Sequence, residues 1–329
     1  MKWVIGLVTL GLGVCAGVLW VTAESPDTAA LEPPACGIEL VVLGIAQDAG
    51  MPQIGNRKDP AWQDPSLKRS ATALALIDHG AETRYLFEAT PQISQQLQRL
   101  DEVATFTESG LGVDGVFLTH AHIGHYAGLI FLGREAAGSA NVPVYAMPRM
   151  AEYLSQNGPW AQLLALDNIQ LEPMQAAETV ELTDSLKVQP LQVPHRDEYS
   201  ETVGYLISTP GQSAFFLPDI DDWDLWQQRF EVEITDLVTR VDYAFLDATF
   251  YDDFELPGRD MSKIPHPRVL ETMDRLQHLP AKVRAGVHFI HINHTNPIRF
   301  VDSPETAEVQ RRGFAIAEEG QRLCLWRKQ

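Results

Sequence analysis

From Ile38 onward the chain alternates short apolar runs with longer stretches whose apolar residues recur at helical spacing. IELVVLGIA is a near-continuous apolar run, as a strand buried on both faces requires, and it leads into the polar loop QDAGMPQIG. TALALIDHG and TRYLFEA read as a strand pair across His79-Gly80. PQISQQLQRL is helical, with Pro91 placed in its first turn. VDGVFLT is a strand, GLIFLGREAAG a helix ended by Gly138, and VPVYAM the next strand. SLKVQPLQVPH, TVGYLIST, SAFFLPD, YAFLDATF and VRAGVHFIHIN continue as strands, and PHPRVLETMDRLQHL is a helix between the last two. Strands separated by surface helices predict an α/β layered fold with polar loops gathered at strand ends. No linker-like composition divides 37–329, which reads as one domain.

The N-terminus departs from this pattern. Met1 and Lys2 precede WVIGLVTLGLGVCAGVLWV and then Thr22-Ala23-Glu24. A basic start, an apolar segment and small residues read as an export signal over 1–23, with an uncleaved anchor as the competing reading. Val14 before Cys15 argues against lipidation. Residues 24–36, rich in Pro and Ala, read as a tether. Export would put the rest of the chain in the periplasm, free or membrane-anchored. There Cys36 and Cys324 either form one disulfide closing the domain or stand as two unpaired small hydrophobes.

The formal charge is −19, from 25 basic and 44 acidic side chains. Such a field repels phosphate backbones and anionic bilayers, which disfavours nucleic acid as a partner. It leaves room for a small-molecule substrate at a metal centre.

The chemistry concentrates in LTHAHIGHYAGL, with His120, His122 and His125 spaced H-x-H-x-G-H. Imidazoles at i and i+2 at the end of a strand share a face and chelate one ion without strain. His125, after the turn at Gly124, reaches a second ion or completes the first. Downstream, His195 closes QPLQVPH and Asp219 closes AFFLPD. HFIHINHTNP offers His288, His291 and His294, of which only one phase of an extended chain can face a site. In His195-RDEYSETVGY, Asp197 or Tyr199 is a candidate for orienting an imidazole, with a solvated acidic turn as the alternative.

This order of a histidine cluster, then His, Asp and His at successive strand ends, resembles the metallo-β-lactamase superfamily, whose signature is H-x-H-x-D-H. The resemblance implies an αββα four-layer sandwich. It implies metal ligands at His120, His122, His125, His195, Asp219 (the bridging position) and His291. Within the superfamily the chain is similar to the phosphodiesterase and transfer-RNA 3′-processing branch. Asp247 in LDAT and His266 in IPHPRV stand where that branch has an acid–histidine pair beside the metals, which implies catalytic roles for Asp247, His266 and Asp219. VLGIAQDAGMPQ and FIHINHTNP also look like the B protein of pyrroloquinoline quinone biosynthesis, a family associated with iron-dependent hydroxylation.

Gly124 occupies the position of the signature's aspartate, a second-metal ligand. Three arrangements are open. The second site is absent; or His125, Asp219 and His291 hold an ion with an open position; or a carboxylate from another loop fills the gap, with Asp48 of QDAG as candidate. The second is preferred, because an abandoned site would leave His125 and His291 without purpose. Gly124 can also simply serve the turn that aims His125.

The leading expectation is a hydrolase that activates water at one or two Zn²⁺ ions against a small ester, phosphodiester, lactone or lactam. Fe²⁺ or Mn²⁺ suit the same donors. The alternatives are an iron-dependent oxygenase and a non-catalytic exported metal-binding protein. No nucleophilic Ser or Cys and no phosphate-binding glycine loop stands out.

Overall fold

The computed structural model describes residues 35–107 and 110–327; the signal-or-anchor segment 1–23 and tether residues 24–34 lie outside them. The described residues belong to one compact unit. In chain order it contains β1 (Cys36–Gly44), β2 (Ala73–Asp78), β3 (Thr83–Phe87), α1 (Ile93–Val103), β4 (Gly115–Phe117), α2 (Ile123–Tyr126) and β5 (Val142–Ala146). There follow α3 (Pro148–Gln156), α4 (Trp160–Ala165), β6 (Ile169–Pro173), β7 (Val180–Thr183), β8 (Leu186–Val193), β9 (Thr202–Ser208) and β10 (Ser213–Leu217). The last part holds α5 (Trp223–Phe230), α6 (Ile234–Thr239), β11 (Tyr243–Asp247), α7 (Val269–Leu276), α8 (Ala281–Ala285) and β12 (Val287–Ile290). It closes with α9 (Pro304–Arg311), β13 (Ala315–Ile316) and β14 (Arg322–Arg327).

The strands form two seven-stranded sheets, β14-β1-β2-β3-β4-β5-β6 and β13-β12-β11-β10-β9-β8-β7. Alternation along each strand builds the layers. Leu40 and Val42 of β1, with Leu74 and Leu76 of β2, join the core shared with the second sheet. Val41, Leu43, Ala75 and Ile77 face the other way and pack with Ile93 and Leu100 of α1 and Leu154 of α3. Phe87 and Phe117 stack at 4.9 Å and meet Tyr205 of the second sheet edge-on at 5.3 and 5.5 Å. On the far side, α5 to α7 contribute Trp223, Trp226, Ile234, Val269 and Met273. The result is the αββα sandwich.

Both ends of the domain meet in the first sheet. β1 begins at Cys36, the last residue assigned to the tether, and Cys36 is disulfide-bonded to Cys324 of β14 with a Cα separation of 5.7 Å. Beside this bond Glu39, the one charge inside the apolar run, accepts from Arg322 at 2.6 and 2.8 Å. No helix among the described residues is long and apolar enough to cross a membrane.

Several local expectations are corrected. Pro91 precedes the Gln92 N-cap of α1 instead of entering its first turn. The helix expected to run to Gly138 is a single 3₁₀ stretch, Ala127–Leu132, ended by the extended Gly133. β4 stops at Phe117, so His120 and His122 lie beyond it, His122 in extended backbone as the N-cap of α2. The helix near His266 begins only at Val269. Pro267 disfavours helical backbone in the preceding residue, so His266 stays in a loop and is free to face the site.

Candidate metal centre

The histidine loop is bolted to the second sheet before any side chain reaches the site. The Tyr205 hydroxyl donates to the Leu118 carbonyl, Val203 N donates to Thr119 O at 3.1 Å, and Ala121 N donates to Ser200 Oγ at 2.8 Å. From this platform His120 Nε2 lies 2.9 Å from His122 Nδ1, which in turn lies 3.2 Å from His195 Nε2. Imidazoles around one tetrahedral Zn²⁺ place their nitrogens about 3.3 Å apart, given Zn–N bonds of roughly 2.0–2.1 Å.

The other nitrogen of each ring fixes its tautomer. Thr119 Oγ1 donates to Glu88 Oε1 at 2.6 Å and therefore accepts from His120 Nδ1 at 2.8 Å. His122 Nε2 faces Glu198 Oε2 at 3.1 Å, and His195 Nδ1 faces Asp221 Oδ1 at 2.9 Å. With their protons turned outward, three bare lone pairs converge at hydrogen-bond distance, and the only donor near them among the described residues is the Arg196 guanidinium, a long 3.4 Å from His122 Nδ1. A cation between them removes that repulsion, so these residues fit a divalent metal.

Asp219, just past β10 and almost wholly buried, occupies the middle of the cluster. Its Oδ2 lies 3.0 Å from His125 Nε2, 3.3 Å from His291 Nε2 and 3.9 Å from His120 Nε2. Its Oδ1 lies 3.6 Å from His195 Nε2. Oδ2 thus faces His125 and His291 and reaches His120, while Oδ1 faces His195, so the carboxylate touches both halves of the centre. Burial would raise its carboxyl, but the surrounding His291, His195 and His125 reverse this and hold it well below the usual range. Burial would likewise lower His125, yet Glu88 and Asp219 outweigh it and hold the imidazole well above its ordinary value. Asp219 Oδ2 and His291 Nε2 are buried atoms without hydrogen-bond partners, a second sign that the cluster is built around ions.

Beside the cluster, His266 Nδ1 lies 2.8 Å from Asp247 Oδ2 and 3.8 Å from Asp219 Oδ1. Burial would lower His266, but Asp247 overrides it and raises the imidazole above its ordinary value. Thr249 Oγ1 donates to Asp247 Oδ1 at 2.7 Å and stands 3.0 Å from His291 Nδ1, linking this pair to the metal cluster.

His120, His122, His125, His195, Asp219 and His291 are therefore gathered at one place, and His291 is the phase of its triplet that faces it. His288 is turned into the core, its Nδ1 3.0 Å from Gly286 O, and His294 stands beside Asp59 and Arg299. The orienting residues differ from the two expected: Asp221 holds His195, Glu198 holds His122, and Tyr199 is exposed with its ring 5.2 Å from Tyr153. Asp197 is paired with Arg229 at 4.0 Å. Sequence reasoning also missed Glu88, whose Oε1 lies 3.3 Å from His125 Nδ1. It follows β3 directly, the same strand-end position that marked Asp219. Glu88 and His291 both hold positive φ, at 77° and 62°, backbone strain of about 1–3 kcal/mol each that concentrates at sites.

One test concerns the outer carboxylates. Asp221→Asn leaves the His195 ring in place but no longer enforces its proton at Nδ1. Zn²⁺ affinity at the three-histidine site should fall about 10–100-fold. Competition with a chromophoric chelator measures it, and an unchanged affinity would remove Asp221 from the centre.

Buried imidazoles and a shared aspartate at the strand ends of an αββα sandwich define a divalent-metal protein. The chain belongs to the β-lactamase superfamily: a sequence profile of the Beta-lactamase superfamily domain matches residues 83–289. Coenzyme PQQ synthesis protein B from Methylorubrum populi is 26% identical over 313 residues, covering 88% of this chain and all of that protein. Zn²⁺-bound PqqB from Methylobacterium extorquens superposes with a TM-score of 0.71 at 24% identity, over 87% of this chain and 99% of that one. A diphosphatase from the PhnP family gives a TM-score of 0.60 at 22% identity, over 87% and 96% of the two chains.

Proposed function

We propose that this protein hydrolyses a small phosphodiester or related ester, with divalent ions held by His120, His122 and His195 on one side of Asp219 and by His125 and His291 on the other. The observation that carries this reading is the buried Asp247–His266 pair at 2.8 Å, set against the metal cluster. Bound ions would supply Lewis acidity and lower the pKa of a water molecule. The chain's own residues do the rest. Asp247 accepts from His266 Nδ1–H and stabilises the imidazolium, whose Nε2–H can then pass its proton to a leaving oxygen and leave a neutral imidazole. Asp219 holds the two halves of the site at a set separation, and Glu88, Asp221 and Thr249 keep the imidazole lone pairs turned inward. Arg196, whose guanidinium is 3.4 Å from His122 Nδ1, adds positive charge at the mouth and favours an anionic phosphoryl group. The net charge of −19 favours a small substrate over a nucleic acid.

The likeness to a diphosphatase puts phosphorus esters first in the test. The metal-loaded protein should turn over bis(p-nitrophenyl) phosphate or an aryl ester. His266→Gln should lower turnover about 10²–10⁴-fold for poor leaving groups and far less for good ones, with metal content unchanged. No turnover across phosphodiesters, esters and lactones, or an equal loss for all leaving groups, would refute the reading.

The likeness to PQQ synthesis protein B supports a second reading, O₂-dependent hydroxylation at Fe²⁺ held by the same imidazoles. Oxygen consumption by the Fe²⁺-loaded protein with candidate quinone precursors tests it. We also assign the domain to an oxidising, extracytoplasmic compartment, a reading supported by the Cys36–Cys324 disulfide and the apolar N-terminal run.

A further inference from the structure

We infer that Asp48 supplies the carboxylate of the second ion's site and that Gly124 exists to admit it. The inference rests on the metal reading above and goes beyond it by assigning a ligand at the one position where this chain departs from its superfamily's signature. A carboxylate oxygen of Asp48 and one ring nitrogen each of His125 and His291 lie within 4.8 Å of one another. Asp48 adopts φ 47°, in the left-handed region, and the next turn is closed by Gly50 N donating to Gln47 O at 3.1 Å.

The loop is fastened to the segment carrying His291. Gln47 N donates to Ile292 O at 2.9 Å, Ile292 N donates to Ile45 O at 2.8 Å, and Gln92 Nε2 holds Ala49 O at 2.7 Å. It also packs onto the turn carrying His125. A Cβ placed on Gly124 would come within 2.5 Å of Asp48 Cα and 2.6 Å of Asp48 O. These are backbone atoms and cannot swing aside. An aspartate at 124 and the loop in its present place therefore exclude one another. The chain has the glycine, and the approaching loop brings its own carboxylate to the same half of the site, where Asp219 Oδ2 and His291 Nε2 are buried and unpartnered.

The charges agree with this. Two divalent ions bring four positive charges, and Asp219 alone gives them one negative charge in direct contact. Asp48 adds another at the half that has only two imidazoles. Asp48 is exposed and sits on a loop, so its ion is expected to be the first released to a chelator.

The test counts metal in the full chain after dialysis at fixed free Zn²⁺, with hydrogen exchange of residues 46–50 as a readout independent of catalysis. Wild type should hold two ions and protect the loop when loaded. Asp48→Asn, an exposed substitution, should melt like wild type when both are metal-free, keep one ion, weaken the second at least ~10²-fold and lose the metal-dependent loop protection. Gly124→Ala should do the same with Asp48 intact, because the loop is pushed off. Two ions retained by both variants at wild-type affinity would overturn the assignment, as would loss of both ions in Asp48→Asn. A wild type holding one ion would end this inference and leave the hydrolase reading standing; a wild type holding none would end both.

Discussion

Replacing Asp219 with asparagine should empty at least half of the centre and abolish turnover. The substitution keeps the shape and removes the one negative charge that lies within 4 Å of His120, His125, His195 and His291 together. Breaking a buried charge cluster by removing one partner costs about 3–5 kcal/mol. At 1.4 kcal/mol per decade, ion affinity should fall roughly 10²–10⁴-fold. The fold should survive, since Asp219 lies beyond the end of β10 and its neighbours Leu217 and Ile220 remain in the core. Metal counting and Zn²⁺ titration decide it. Two ions bound within about threefold of wild-type affinity would mean that Asp219 is not shared between them.

The second large effect concerns stability and should leave the metal alone. Cys36→Ser with Cys324→Ser opens a covalent loop of 288 residues. Loss of a native disulfide typically costs about 2–5 kcal/mol. For a domain of this size 1 kcal/mol shifts Tm by roughly 2–4 °C, so a fall of about 5–15 °C is expected. Cys36 starts β1 and the site-facing loop follows its other end, roughly 25–30 Å away for a nine-residue strand. Metal stoichiometry should therefore not change. The Glu39–Arg322 pair and the β1–β14 ladder remain, which is why loss of the bond should weaken the edge without unfolding it. A Tm within a degree of wild type, with the bond confirmed in the parent by mass, would contradict this.

Four of the candidate ligands were legible in the sequence because they come just after short apolar strands, and a strand end in a layered α/β fold is where polar side chains can converge. His120, His195, Asp219 and His291 all obey that rule. Asp247 and His266 were legible only through resemblance, since an acid ending a strand and a histidine between prolines carry no pairing information by themselves. Glu88, Asp221, Glu198 and Thr249 were not legible, because the feature that selects them is the second nitrogen of a ring whose orientation the chain order does not contain. The nearby Asp197 and Tyr199 were equally good candidates by sequence distance, and only the turn at Arg196, with φ 23°, decides which side chains point back.

By itself the sequence determined the alternation of strands with helices and which polar residues come after apolar strands, because apolar runs and helical spacing mark those elements wherever the chain goes. The four-layer arrangement and the full donor set were legible only through the resemblance. What only the tertiary structure decided is the meaning of Gly124. A missing side chain in a sequence is an absence. In the fold it is the space into which the Asp48 backbone is packed, and that close approach depends on strands far apart in the chain meeting at one edge of the site.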